Sequence, residues 1–131
     1  MNRTPFAVYR QLKLAVDWYG TDYEFFRKGL NEYNEPVDDE ANLVQEVRGI
    51  YHASERSFVE LINNEGASIK SKANKGILCS RDESLELQQG DYVEINGPQF
   101  YVTAIEPIMY ADEVVAYEIS VEELVEGNDL L

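Results

Sequence analysis

Histidine and cysteine each occur once in these 131 residues, and that scarcity removes several kinds of chemistry. With Cys79 alone, no disulfide can form within the chain, and one histidine with one cysteine cannot supply a zinc set. His52 has Ser54 and Cys79 available on paper, but neither stands in a nucleophile motif, so His52 reads as a structural or interface residue. Cys79 follows Ile77-Leu78 and reads as a small core hydrophobe. Asp38-Asp39-Glu40 lacks the alternating carboxylates, central glycine and closing glutamate of a calcium loop, and reads as a solvated loop. No glycine-rich phosphate cradle is present. No run approaches the roughly 20 apolar residues of a membrane helix, and none opens the chain as a leader would. The expectation is a non-enzymatic protein with no cofactor, no metal and no membrane contact, made in a reducing, intracellular setting.

Positive charge is the other shortage. The chain carries 11 basic and 25 acidic residues, for a net charge of −14. Beyond Arg81 there is no lysine or arginine at all, against thirteen acidic side chains over residues 82–131. Such a surface repels nucleic acid as a whole and offers no broad basic face for reading DNA. The exception is an island of four cations with no acid among them, Lys70, Lys72, Lys75 and Arg81. Lys70 and Lys72 share a face if their stretch is extended. The island reads either as a lysine-protected strand edge or as a contact to a DNA end or to an acidic patch of an identical neighbour. The second reading suits a head-to-tail ring.

What is present is strand-forming sequence behind one helix. Thr4-Pro5 opens a helix over residues 5–18, with Thr4 as cap and Gly20 as stop. Phe6, Tyr9, Leu12 and Val16 form its apolar stripe, which packs on the domain core or docks on a partner. Residues 21–28 read as an aromatic strand, 29–42 as a polar loop, and 43–51 as an alternating strand with a bend or bulge at 49–51. Residues 54–62 suit another strand, 63–66 a turn, and 67–79 an alternating stretch ending in the buried run Ile77-Leu78-Cys79. Residues 85–89 are short and amphipathic. The sharpest local signal is the hairpin at Asn96-Gly97, between Tyr92-Val93-Glu94-Ile95 and a strand over 100–105. Pro107 ends that strand or marks an edge, residues 113–121 make a last strand, and an acidic tail follows from 122. The fold expected is mainly β, a small barrel or sandwich with one N-terminal α-helix, in a single domain over 1–131.

The order of these motifs resembles a known family. Phe26-Arg27-Lys28-Gly29, Glu35-Pro36 and Val47-Arg48-Gly49-Ile50-Tyr51-His52 are similar to the first half of tailed-phage head-closure proteins, the head–tail connectors or stoppers. Lys75-Gly76-Ile77-Leu78-Cys79, the stretch from Leu87 to Ile95, Asn96-Gly97, Phe100-Tyr101-Val102-Thr103-Ala104-Ile105 and Ile119-Ser120-Val121-Glu122-Glu123-Leu124 resemble the second half. The likeness spans about residues 20–125 and rests on order and texture. It implies a barrel subunit that joins identical subunits in a ring at the virion neck, assembled in the host cytoplasm. The ring would seal the DNA exit after packaging and offer the tail an attachment surface. Its partners would be the portal or adaptor protein, a tail-terminator or tail protein, and the genome end. Loops 30–42 and 63–76 are the candidates for the channel or for subunit contacts. The N-terminal helix matches nothing in the family pattern, and either docks on the adaptor or covers one open end of the barrel. Three other readings stand beside this one: a neighbouring tail-completion protein, an acidic DNA mimic that inhibits a basic partner, and a carboxylate enzyme, for which no acid pair is singled out by spacing.

Overall fold

The computed structural model describes residues 4–30, 32–53 and 75–124, apart from the side chains of residues 36–40. The chain begins with a helix, α1 (Pro5–Tyr19), as the Thr4-Pro5 signal predicts. The Thr4 hydroxyl accepts from the Ala7 amide at 3.1 Å, and Pro5 occupies a position that needs no N–H. Six strands follow: β1 (Thr21–Leu30), β2 (Pro36–His52), β3 (Gly76–Ser80), β4 (Tyr92–Glu94), β5 (Gln99–Tyr110) and β6 (Glu113–Glu123). All pair antiparallel and close into a barrel in the order β1-β2-β3-β6-β5-β4. The protein is therefore mainly β with one N-terminal helix.

Two apolar clusters divide the work. Inside the barrel lie Phe25, Val47, Ile77, Cys79, Val93, Phe100, Val102, Ile119 and Val121, joined by Leu87 and Ile95. Outside it, Val8 and Leu12 of α1 pack on Leu78, Ile108, Val115 and Ala116. Strand β3 explains the arrangement. Successive side chains point to opposite faces, so Ile77 and Cys79 enter the barrel while Leu78 meets the helix. All five residues of β3 are buried, which is why the sequence there reads as a continuous apolar run. The helix thus covers a side wall formed by β2, β3 and β6, not an open end of the barrel.

The helix stripe differs from the one expected. Val8, Leu12 and Val16 are the buried residues, while Phe6 is 57% exposed and Tyr9 half-buried. Positions four apart stack on one face, whereas positions two apart do not, so Phe6 turns away once Val8 faces the barrel. Close approach governs the far end. A Cβ on Gly20 would lie 2.3 Å from the Val16 carbonyl oxygen, and one on Gly49 would lie 2.5 Å from Ile77 Cγ2. Gly49 pairs with Thr21 on one side and Cys79 on the other, so β2 passes from one neighbour to the next at a residue without a side chain. The irregularities in the β1–β2 pairing fall instead at Phe25/Phe26 and Lys28/Gly29.

Two expected boundaries move. The loop at 29–42 shrinks to a turn, because β1 runs to Leu30 and β2 starts at Pro36, placing Asp38-Asp39-Glu40 in a strand. Pairing with β1 supplies partners for backbone that the polar composition had marked as loop. Strand β5 continues through Pro107 to Tyr110. The short β4 reaches only as far as Tyr101, so Pro107 lies beyond it and its missing N–H interrupts no ladder with β4. Residues 84–88, which take in most of the short amphipathic stretch 85–89, are irregular. Gln45 bonds the Ser84 carbonyl and the Glu86 amide, and Leu87 is inserted into the core. The hairpin at Asn96-Gly97 is as expected, with φ of 54° and 111°. The β5–β6 turn uses Ala111 and Asp112 at φ of 50° and 66°, which no turn-forming composition had signalled. The expected strand at 54–62, the turn at 63–66 and residues 67–74 lie outside the described residues.

Candidate interaction surfaces

The basic island does not present a common face in the described residues. Lys70 and Lys72 lie outside them. Lys75 lies 3.9 Å from Glu123 and over the Phe100 ring, at 5.8 Å from its centroid. Arg81 stacks on Tyr9 at 3.8 Å and donates to the Val114 carbonyl at 3.1 Å. Arg81 therefore helps fasten α1 to the barrel. The Tyr9 hydroxyl donates to Asp82, and Lys13 bridges Asp82 at 3.5 Å and Asp17 at 3.8 Å. The Tyr9 bond, then the nearby Lys13 ammonium, holds the Asp82 carboxyl below its ordinary range, and the same bond raises the Tyr9 phenol.

The four helix residues proposed for docking are likewise divided. Leu12 and Val16 are consumed by the chain's own barrel, and Tyr9 by Arg81 and Asp82. Only Phe6 faces outward. Three further apolar residues of α1, outside the expected stripe, are exposed: Leu14 at 50%, Trp18 at 76% and Tyr19 at 81%. A search for amphipathic spacing passes over them, because they fall on the side it assigns to solvent.

His52 and Cys79 do not form a reactive pair by any hydrogen bond. His52 Nε2 meets Glu118 Oε1 at 3.1 Å, both side chains nearly fully buried. His52 Nδ1 is buried without a partner among the described residues. Burial pushes the Cys79 thiol up to about 12, so at neutral pH it is a thiol within the core. Among the described residues no cluster of three or more histidine, cysteine or acidic side chains could hold a metal.

A groove of about 480 Å³ opens among residues of β1, β2 and the β4 hairpin. Its sides include Tyr23 and Phe26, and its charged groups are Asp22, Glu24, Glu46 and Glu94. Arg48 bonds Asp22 at 3.1 Å. Glu24 stands directly opposite Glu46 in the β1–β2 register, a like-charge pairing that weakens a sheet. Neither these two nor Glu94 has a cation partner among the described residues. Nearby, the barrel is closed by the single backbone pair Phe26–Tyr92 and by a clasp. In the clasp Arg27 grips the buried Asp91 with two bonds of 2.8 and 2.9 Å, and the Gln88 amide adds a third at 2.7 Å. Sequence spacing had marked neither the groove nor the clasp, since both join residues about 20 to 70 positions apart.

Comparison with protein-family models, with curated proteins and with solved structures finds no match to this chain.

Proposed function

We propose that this chain is a structural subunit of a tailed-phage neck, a head-closure connector that seals the DNA exit and carries the tail. The supporting observation is the shape of the β1–β2 hairpin. Beyond the Phe26–Tyr92 bridge and the Arg27–Asp91 clasp, residues 28–30 pair only with β2, so the tip of the hairpin extends past the strands that close the barrel. The tip exposes Leu30 and Tyr33, at 59% and 75%. A small rigid barrel with an extended hairpin tip suits a ring subunit, whose tip reaches a neighbour or the channel. The acidic outer wall suits passage of DNA, since it gives phosphates no firm hold. The order of motifs along the chain supports the same reading.

Deleting the gene from the source phage or prophage and imaging induced particles by negative-stain electron microscopy tests the proposal. Empty or leaking heads beside free, complete tails are expected. Normal infectious particles would overturn the connector reading. They would favour an acidic inhibitor of a basic partner, for which the gathered Glu24, Glu46 and Glu94 are the supporting observation.

A further inference from the structure

The outer face of α1 is apolar where a surface helix is normally polar. Phe6, Arg10, Leu14 and Trp18 follow at four-residue steps, and all four are exposed. Three of the four are large apolar side chains. Arg10 lies over the Phe6 ring at 5.9 Å and has no carboxylate partner among the described residues. Lys13, by contrast, is already engaged by Asp17 and Asp82. The face is thus an apolar ridge carrying one uncommitted cation.

The groove on β1, β2 and β4 is its complement. It is concave, Phe26 forms part of its lining while Tyr23 packs inward on the barrel core, and three of its carboxylates lack a cation among the described residues. The helix that carries the ridge lies over β2, β3 and β6, and the groove spans β1, β2 and β4, so β2 alone is shared between them. Phe6, Leu14 and Trp18 stay exposed, so one chain offers both halves of a contact and leaves them unused. We propose that the outer face of α1 docks into this groove on a second copy of the chain, Trp18 against the half-buried Phe26 and Arg10 against Glu24 and Glu46. The inference rests on the ring-subunit reading above and names its interface. An indole fits such a place because it buries a large apolar body while its N–H reaches a carboxylate. An arginine facing the Glu24–Glu46 pair relieves a repulsion that the isolated barrel leaves in place. The contact is heterologous, so it propagates head to tail into a ring or a filament.

The test uses the full chain and two variants, Trp18→Ala on the ridge and Glu46→Lys in the groove. Circular dichroism confirms that each is folded. Sedimentation velocity of the wild type over a concentration series should show assemblies larger than a dimer, which shrink as salt is raised. Each variant alone should associate at least about tenfold more weakly, as loss of a central aromatic or a charge reversal does at an interface. Mixing the two variants is decisive. Each keeps one intact half, so the mixture should form a dimer and stop there. As Trp18 is the only tryptophan, its emission should shift to shorter wavelength in wild-type assemblies. A wild type that stays monomeric, variants that assemble like the wild type, or a mixture that stays monomeric would each overturn the interface. Failure here is separable from failure of the connector reading. Assembly through these faces with normal particles after gene deletion keeps the interface and removes the phage role. Defective particles with an unaltered variant assembly do the reverse.

Discussion

The barrel has one wall that is finished and one that is not. Under α1, Val8, Leu12 and Val16 are buried, Arg81 stacks on Tyr9, and Asp82 is met by Tyr9 and Lys13. Across β1, β2 and β4 the same ingredients are left apart. Carboxylates face each other in register, Phe26 lines an open groove, and one backbone pair closes the seam. A surface where a folded chain tolerates unresolved repulsion is one where stability alone did not choose the residues. The contrast argues that the open wall belongs to an interaction and the covered wall to the fold.

Removing Leu12 should give the largest effect. Leu12→Ala opens a cavity between α1 and Leu78, Ile108 and Val115, and should lower the unfolding free energy by about 2–5 kcal/mol in urea titrations. An effect near zero would mean that the covered wall is as loosely held as the open one. Next comes the clasp. Arg27→Met leaves the buried Asp91 with backbone partners only and should cost about 1–3 kcal/mol, moderated because Arg27 itself is 40% exposed. Hydrogen exchange should locate the loosening at residues 92–94, the three-residue strand that closes the barrel. Loss spread evenly over all strands would break the idea of a localised seam.

Much of the fold could be read from local rules, because those rules act over a few residues. Thr4-Pro5 begins the helix, Asn96-Gly97 turns a hairpin, and Ile77-Leu78-Cys79 forms a strand covered on both faces. Features set by distant partners could not be read this way. The polar composition of residues 29–42 marks a loop, yet strand pairing carries β1 and β2 through most of it. Ala111-Asp112 turns a hairpin because long flanking strands hold two residues in a region they seldom enter alone. The interaction surfaces were the least legible. Of the four cations in the basic island, two lie outside the described residues and two serve the barrel's own contacts. The ridge of α1 hides in the side of the helical wheel where apolar residues are not sought.

Glu46→Gln sharpens the comparison because it should move two properties in opposite directions. Removing one charge from the Glu24–Glu46 pair should raise the unfolding free energy by about 0.2–1 kcal/mol. The same change should weaken self-association. The equivalent change on the covered wall, Asp82→Asn, should lower stability, since Asp82 has partners there. Equal signs at the two positions would erase the distinction between the walls.

The smallest effect expected is a matter of pH. The Asp82 carboxyl titrates below its ordinary value of 3.8, chiefly because the Tyr9 hydroxyl donates to it. A carboxyl with a lowered folded value stabilises the protein above that ordinary value and loses its contribution as the pH falls through the folded one. The Tyr9 phenol is raised above 10.0 by the same bond, so its contribution is lost as the pH climbs through the raised value. Between these limits the bond is intact. Tyr9→Phe should therefore lower the melting temperature slightly at neutral pH and leave it unchanged relative to wild type in strong acid, where Asp82 is protonated in both. Melting curves of the two proteins from pH 7 downward should converge as Asp82 takes up its proton. Identical melting curves at every pH would mean that Tyr9 holds the helix through its ring on Arg81 alone, and the covered wall would then rest on packing and stacking without its hydrogen bond.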